Sequence, residues 1–251
     1  MPSPEQIAAV VEMVDEICAR NGIMDAFYVG GFPRSIAMGF GLKDVKDLDV
    51  ASGTNDKAVL LAGLVAEEGK ADYYKIRHRS GTVRIEVNGV EMDFQSPGAH
   101  EEVLPFMHMW GIETDPISQN IFDRDFTINA LAMPTNSNEI MDITRRGLAD
   151  IEDQKIASIL PADFAVPRNP LMITRAIKFA YKYDYRVDGA LWAAMQKNVD
   201  KLRNSLSPER LAIEAYVLSR YDCGDMLEDL GMDYMRKPQI IEMGQDIAEA
   251  Q

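Results

Sequence analysis

Apolar residues at Ile7, Val10, Val11, Val14 and Ile17 recur at helical spacing after Ser3-Pro4-Glu5-Gln6, and Asn21-Gly22 ends the run. Ser3 reads as the N-cap, Pro4 suits the first helical position, and Gln6 completes a capping box. Short apolar segments then predict strands at Ala26 to Val29, Asp47 to Ala51 and Asp72 to His78. Between them lie helices at Pro33 to Phe40 and, rich in Ala, Leu and Val, at Asn55 to Lys70. Thr82 to Val87 and Val90 to Phe94 alternate apolar and polar residues on either side of Asn88-Gly89, a strong local hairpin signal. Residues 96–118 have no clean period, yet Phe106, Met107, Met109 and Trp110 make them too apolar for a plain linker. They read as a mobile, partly packed insertion near the site.

Arg124 to Leu131 opens a short helix ended by Pro134, Ile140 to Asp142 reads as a strand, and a helix begins near Ala149. Beyond Pro161 the pattern turns helical: Pro170 to Tyr183, Val187 to Asn198, Ser207 to Ser219 and Cys223 to Leu230. Lys237 to Gln251 is weakly patterned and expected to fray.

The chain has 251 residues, 47% of them hydrophobic and 26% charged, enough for a sizeable core in one or two domains. Cys18 and Cys223 stand far apart and outside any ligand spacing, so a disulfide framework and a zinc site are not expected. No basic, apolar leader and no apolar run long enough to span a bilayer is present, so an intracellular, cytoplasmic protein without a membrane partner is the expectation. The formal net charge of -14 argues against a broad basic face for coating nucleic acid, though a local basic channel remains compatible with it.

The candidate chemistry concentrates in two places. Val29-Gly30-Gly31-Phe32-Pro33-Arg34 puts two glycines at a strand end, where backbone amides can approach a phosphate, with Arg34 on the following helical turn. Asp47 and Asp49 follow, separated by Leu48, so a strand aims both carboxylates to one side. Their repulsion is relieved by a divalent cation, and a phosphate cradle beside paired carboxylates reads as a metal-dependent phosphoryl-transfer site. On the second hairpin strand Glu91 and Asp93 share a face, and either could add a third carboxylate if that strand lies beside Asp47 and Asp49. Arg124, just before the short helix, could meet a triphosphate; the alternative is a capped core helix in which Asp125 is only the N-cap. Arg175, Lys178 and Lys182 form a basic stripe, either a solvated helix face or a track for RNA or phosphate. Ser207-Pro208-Glu209-Arg210 is a capped helix start, either an ordinary scaffold helix, which the pattern alone favours, or one with Arg210 as a ligand contact.

In this order the motifs resemble the class II tRNA nucleotidyltransferase (CCA-adding) and bacterial poly(A) polymerase family of the polymerase-β superfamily. The matching pieces are Gly30-Gly31 with Arg34, Asp47-Leu48-Asp49, Gly81-Thr82-Val83, Asp93-Phe94, Arg124 to Met133, Asp142 with Gly147 and Asp150, Pro170-Leu171 with Arg175 to Phe179, and Ser207 to Arg210. They run from about residue 26 to residue 215.

The resemblance implies an α+β chain: a nucleotidyltransferase head of small mixed sheet and helices over residues 1–158, then an all-helical neck and short body over 159–251. It implies that Asp47, Asp49 and Asp93 are catalytic and hold two Mg²⁺ ions. Gly30, Gly31, Arg34, Arg124, Asp125, Asn129, Asn169, Met172, Arg175, Lys178 and Arg210 would serve the nucleotide. The implied substrates are ATP, possibly CTP, and an RNA 3′ end, most naturally that of tRNA. Departures fall on Ser35, Gly98, Asp123 and above all Asn169 and Met172, which stand where the family reads the base with Asp and Arg. Altered base selection is therefore expected, since Met172 has no guanidinium fork. Two alternatives stay open: transfer to another acceptor (RNA, protein or small molecule), and a catalytically silent binding relative.

Overall fold

The computed structural model describes residues 2–77, 82–95 and 101–249. They form two compact units, Met1–Ile151 and Glu152–Gln251. His78, Gly81 and Gly98, named above, lie outside the described residues.

The first unit opens with α1 (Pro4–Asn21), whose Ser3–Gln6 capping box forms as read and whose chain reverses at left-handed Gly22. It continues through β1 (Ala26–Val29), α2 (Gly31–Ala37), β2 (Asp47–Ser52), α3 (Asn55–Glu68), β3 (Tyr73–Arg77), β4 (Thr82–Val87) and β5 (Val90–Gln95). The strands join one mixed sheet in the order β3-β4-β5-β2-β1, with β6 (Ala132–Pro134) on the far edge. Only β2 and β5 run parallel; the other pairs are antiparallel. This mixed sheet with helices is the α+β architecture expected.

Alternation divides the sheet into two faces. Leu48, Val50, Val83, Ile85, Met92 and Phe94 are almost wholly buried against Ile7, Val10, Val14 and Ile17 of α1 and Leu61 and Val65 of α3. Each such side chain contributes roughly 1.5–3 kcal/mol by leaving water. A one-residue slip of β2 or β5 would put Asp47, Asp49, Glu91 and Asp93 into this core, so burial of one face sets the register of the other. Asn88 and Gly89 both take positive φ in the two-residue turn, and the Gln6 side chain bonds the Asn88 carbonyl at 2.6 Å, tying α1 to the hairpin.

Three expectations need correction here. The stretch read as irregular contains two short helices, α4 (Leu104–Met109) and α5 (Pro116–Phe122), the latter begun by Asp115 accepting from the amides of Ile117 and Ser118. Their formation was hidden because neither exceeds two turns, too short for a period to show. The helix expected from Arg124 is a single 3₁₀ turn at Thr127–Asn129 running directly into β6. The strand at 140–142 reduces to one bridge, Ala132 to Met141. The unit closes with α6 (Gly147–Glu152).

The second unit pairs two short parallel strands, β7 (Lys155–Ile156) and β8 (Arg186–Val187). Its helices are α7 (Ala162–Arg168), α8 (Met172–Tyr183), α9 (Gly189–Ser205), α10 (Pro208–Leu218), α11 (Gly224–Asp229) and α12 (Pro238–Glu249). Ile173, Thr174, Ile177 and Ala180 of α8 are buried as its periodicity requires. The C-terminal stretch expected to fray is helical, because Gly244 lets α12 approach α10: a Cβ there would stand 1.9 Å from the Ala212 carbonyl oxygen. Cys18 and Cys223 are buried free thiols. Among the described residues no helix is long and apolar enough to cross a membrane.

Candidate functional site

The open face of the sheet in the first unit collects the charged residues. Parallel pairing of β2 with β5 sets Asp47 opposite Glu91 and Asp49 opposite Asp93. Antiparallel β1 brings Val29 opposite Asp49, so the Gly30-Gly31 turn opens directly over that carboxylate. Gly30 takes φ +71° and ψ -114°, a backbone conformation reserved for glycine. A Cβ on it would lie 2.5 Å from Arg124 Nη1 and 3.0 Å from Asp49 Oδ2. The missing side chain is thus what lets the Arg124 guanidinium reach to 3.6 Å from Asp49.

Three side chains, Gln95, Asn120 and Arg124, close a ring with Asp49. Gln95 Nε2 donates to Asp49 Oδ1 at 3.1 Å, and Asn120 Nδ2 donates to Gln95 Oε1 at 3.5 Å. Arg124 Nε and Nη2 donate to Asn120 Oδ1 at 3.3 and 3.2 Å, and Arg124 returns to Asp49. Burial raises the Asp49 carboxyl above its ordinary value, and the charges of Asp47 and Asp93 push the same way against the opposing pull of Arg124.

A second chain fixes Arg34, which is buried on α2. Its Nη1 donates to Asn129 Oδ1, Asn129 Nδ2 donates to Asp125 Oδ1 at 2.9 Å, and the same Asp125 oxygen accepts from the Phe126 amide at 2.8 Å. The 3₁₀ turn therefore orients Arg34 through Asn129. Thr127 on that turn donates to Asp150 Oδ2 at 2.6 Å, anchoring it from behind.

Asp93 is held differently. Arg84 of β4 forks onto it, Nε to Oδ1 at 2.7 Å and Nη2 to Oδ2 at 2.5 Å, and its Nη1 lies 3.3 Å from Glu91 Oε2. Tyr73 of β3 donates to the other Glu91 oxygen at 3.0 Å.

Asp47 and Asp49 fit an oxygen-liganded divalent cation: hard donors two residues apart on one strand face, one of them with its charge disfavoured by burial. The third carboxylate is engaged by a guanidinium. Among the described residues no group of three or more acidic, His or Cys side chains is drawn together to hold a metal.

Arg84, Gln95 and Asn120 were not among the residues singled out from sequence. A signal existed for Arg84, because a two-residue Asn-Gly turn pairs Val87 with Val90 and hence Arg84 with Asp93. For Gln95 and Asn120 there was none.

The remaining nucleotide candidates lie in the second unit. Asn169 follows α7 and is half-buried, whereas Met172 begins α8 and is only 2% exposed. Arg175 is exposed, and the Lys178 ammonium sits 4.6 Å over the Phe179 ring. Arg210 pairs with buried Glu214 at 2.7 Å, whose other oxygen accepts from Thr174 at 2.6 Å.

Residues 26–157, more than half of the chain, match the family model of the Poly A polymerase head domain. The chain belongs to this family, that of the class II tRNA nucleotidyltransferases. It is 26% identical over 216 residues to a CCA-adding enzyme of Streptococcus pyogenes, covering 84% of this chain and 49% of that protein. The mitochondrial CCA tRNA nucleotidyltransferase of Saccharomyces cerevisiae is 29% identical over 136 residues, 53% of this chain and 24% of that one. Among solved structures, the Thermotoga maritima CCA-adding enzyme complexed with tRNA shares the fold with a TM-score of 0.72 at 18% identity, over 93% of this chain and 53% of that chain. The chain spans about half the length of the Streptococcus relative.

Proposed function

We propose that the protein transfers nucleotides from ATP or CTP to an RNA 3′ end, of the CCA-adding or poly(A)-forming type, with tRNA as the acceptor class. The observation that carries this reading is the meeting of the Gly30-Gly31 turn, Arg34 and Arg124 with Asp47 and Asp49 on one sheet face. The similarity to CCA-adding enzymes supports it. In this reading residues 1–158 are the head and 159–251 the neck and short body.

The reaction is displacement at the α-phosphate: the RNA 3′-hydroxyl oxygen bonds to phosphorus as the bond to the bridging oxygen breaks, and pyrophosphate leaves. Asp47 and Asp49 would hold Mg²⁺, with Asp93 as the third carboxylate. Bound there, Mg²⁺ would lower the hydroxyl pKa and offset charge on the phosphate oxygens. Arg34, held rigid by Asn129 and Asp125, and Arg124, held by Asn120, present preset positive charge to the triphosphate and need little reorganisation. Arg175, Lys178 and Arg210 are assigned to nucleotide or RNA contact from the family pattern. Asn169 and buried Met172 replace the family's Asp and Arg, so base choice rests on Asn169 and is relaxed or redirected.

The test offers each labelled nucleoside triphosphate with tRNA lacking its 3′ end, with generic RNA, and with no RNA. Ordered CTP-then-ATP use confined to tRNA identifies CCA addition, and ATP use on many RNAs identifies the poly(A) type. Label recovered on protein or small molecules would replace the RNA acceptor by another. No incorporation under any condition would overturn the enzymatic reading.

A further inference from the structure

We propose that Arg84 is an internal competitor for the metal at Asp93, a guanidinium switch with two seats, and that Glu91 is its second seat. The inference rests on the metal reading of Asp47, Asp49 and Asp93 given above and assigns a regulator to that site.

Three features support a switch over a plain structural ion pair. First, the Arg84 fork engages both oxygens of Asp93, the geometry of the strongest charge-assisted pairs, so a cation approaching Asp93 meets a filled carboxylate. Second, Arg84 already touches Glu91 at 3.3 Å, so leaving Asp93 does not strand its charge. Glu91 and Asp93 are two residues apart on β5 and share a face, so the guanidinium can pass between them by side-chain rotation with the backbone still. Third, Tyr73 of β3 donates to the other Glu91 oxygen at 3.0 Å, keeping the second seat in place. The Glu91 side chain is 45% exposed and that of Asp93 17%, so water screens the second seat more strongly than the first. Arg84 therefore favours Asp93 until a cation outbids it there.

Removing the competitor should strengthen metal binding, and removing the second seat should weaken it. Charge alone would also oppose the two variants, so the double variant decides: in the Arg84→Met background Glu91→Gln should no longer weaken Mn²⁺ binding, whereas a persisting loss of about threefold there would overturn the switch. Calorimetric titration of nucleotide-free protein with Mn²⁺ reads this without turnover. Arg84→Met should bind Mn²⁺ on the order of tenfold more tightly than wild type, as expected for loss of one neighbouring positive charge. Glu91→Gln, at a half-exposed position that tolerates the change, should bind it about threefold more weakly. Equal or weaker Mn²⁺ binding by Arg84→Met, or unchanged binding by Glu91→Gln, overturns the switch. Asp47→Asn separates the two readings: if it loses the Mn²⁺ binding that wild type shows, the metal site stands whatever Arg84 does. Absence of binding by wild type and Arg84→Met alike removes both.

Discussion

Gly30→Ala tests the geometry of the site without reference to its chemistry. At φ +71° and ψ -114° an alanine is strained by about 1–3 kcal/mol. Its Cβ would also fall 2.5 Å from Arg124 Nη1 and 3.0 Å from Asp49 Oδ2. The guanidinium is the mobile partner, so relief comes from Arg124 swinging out and giving up Asp49 and Asn120, a further loss of about 1 kcal/mol. The total, about 2–4 kcal/mol, corresponds to a fall in Tm of roughly 5–12 °C for a chain of this size. Gly31→Ala is the internal control. It begins α2 at ordinary φ, and its Cβ would sit 3.7 Å from Arg34 Nη2 and 4.0 Å from Asp47 Oδ1, plain van der Waals contact. Its Tm should stay level or rise slightly, since alanine is the better helix former. Scanning calorimetry of the two variants side by side makes the comparison. Equal shifts, or Gly31→Ala as the worse of the two, would refute the claim that Gly30 clears the path of Arg124.

Asp47→Asn and Asp49→Asn should each cut nucleotide incorporation by more than about 100-fold while leaving far-UV circular dichroism unchanged, because both carboxylates lie on the open sheet face; incorporation that persists in both would remove the proposed mechanism. Thr127→Val should destabilise the first unit by about 1–3 kcal/mol in urea titration, since it takes from buried Asp150 the hydroxyl donor at 2.6 Å. Gly244→Ala should release α12 from α10, seen as fast amide exchange across 238–249, because its Cβ would strike the Ala212 carbonyl and the backbone cannot yield.

The chain alone determined whatever depends on neighbours along it. The Ser3–Gln6 box, the Asn88-Gly89 turn and the alternation of β4 and β5 are local, and from them even the Arg84–Asp93 pairing could be counted, because a two-residue turn sets the register of its strands. The Asp47-Leu48-Asp49 pattern likewise stated that both carboxylates share a face. The tertiary structure decided the rest. That Asp93 lies level with Asp49 depends on parallel pairing between strands about forty residues apart, which no local turn specifies. The same holds for the ring from Gln95 through Asn120 and Arg124 to Asp49, whose members come from three separate segments. The last helix forms where the pattern was weak, because its approach to α10 depends on the absence of a side chain at Gly244, which a reading of apolar spacing does not weigh. Local geometry follows from short-range sterics and hydrogen bonding, whereas these contacts exist only once the sheet and helices have packed.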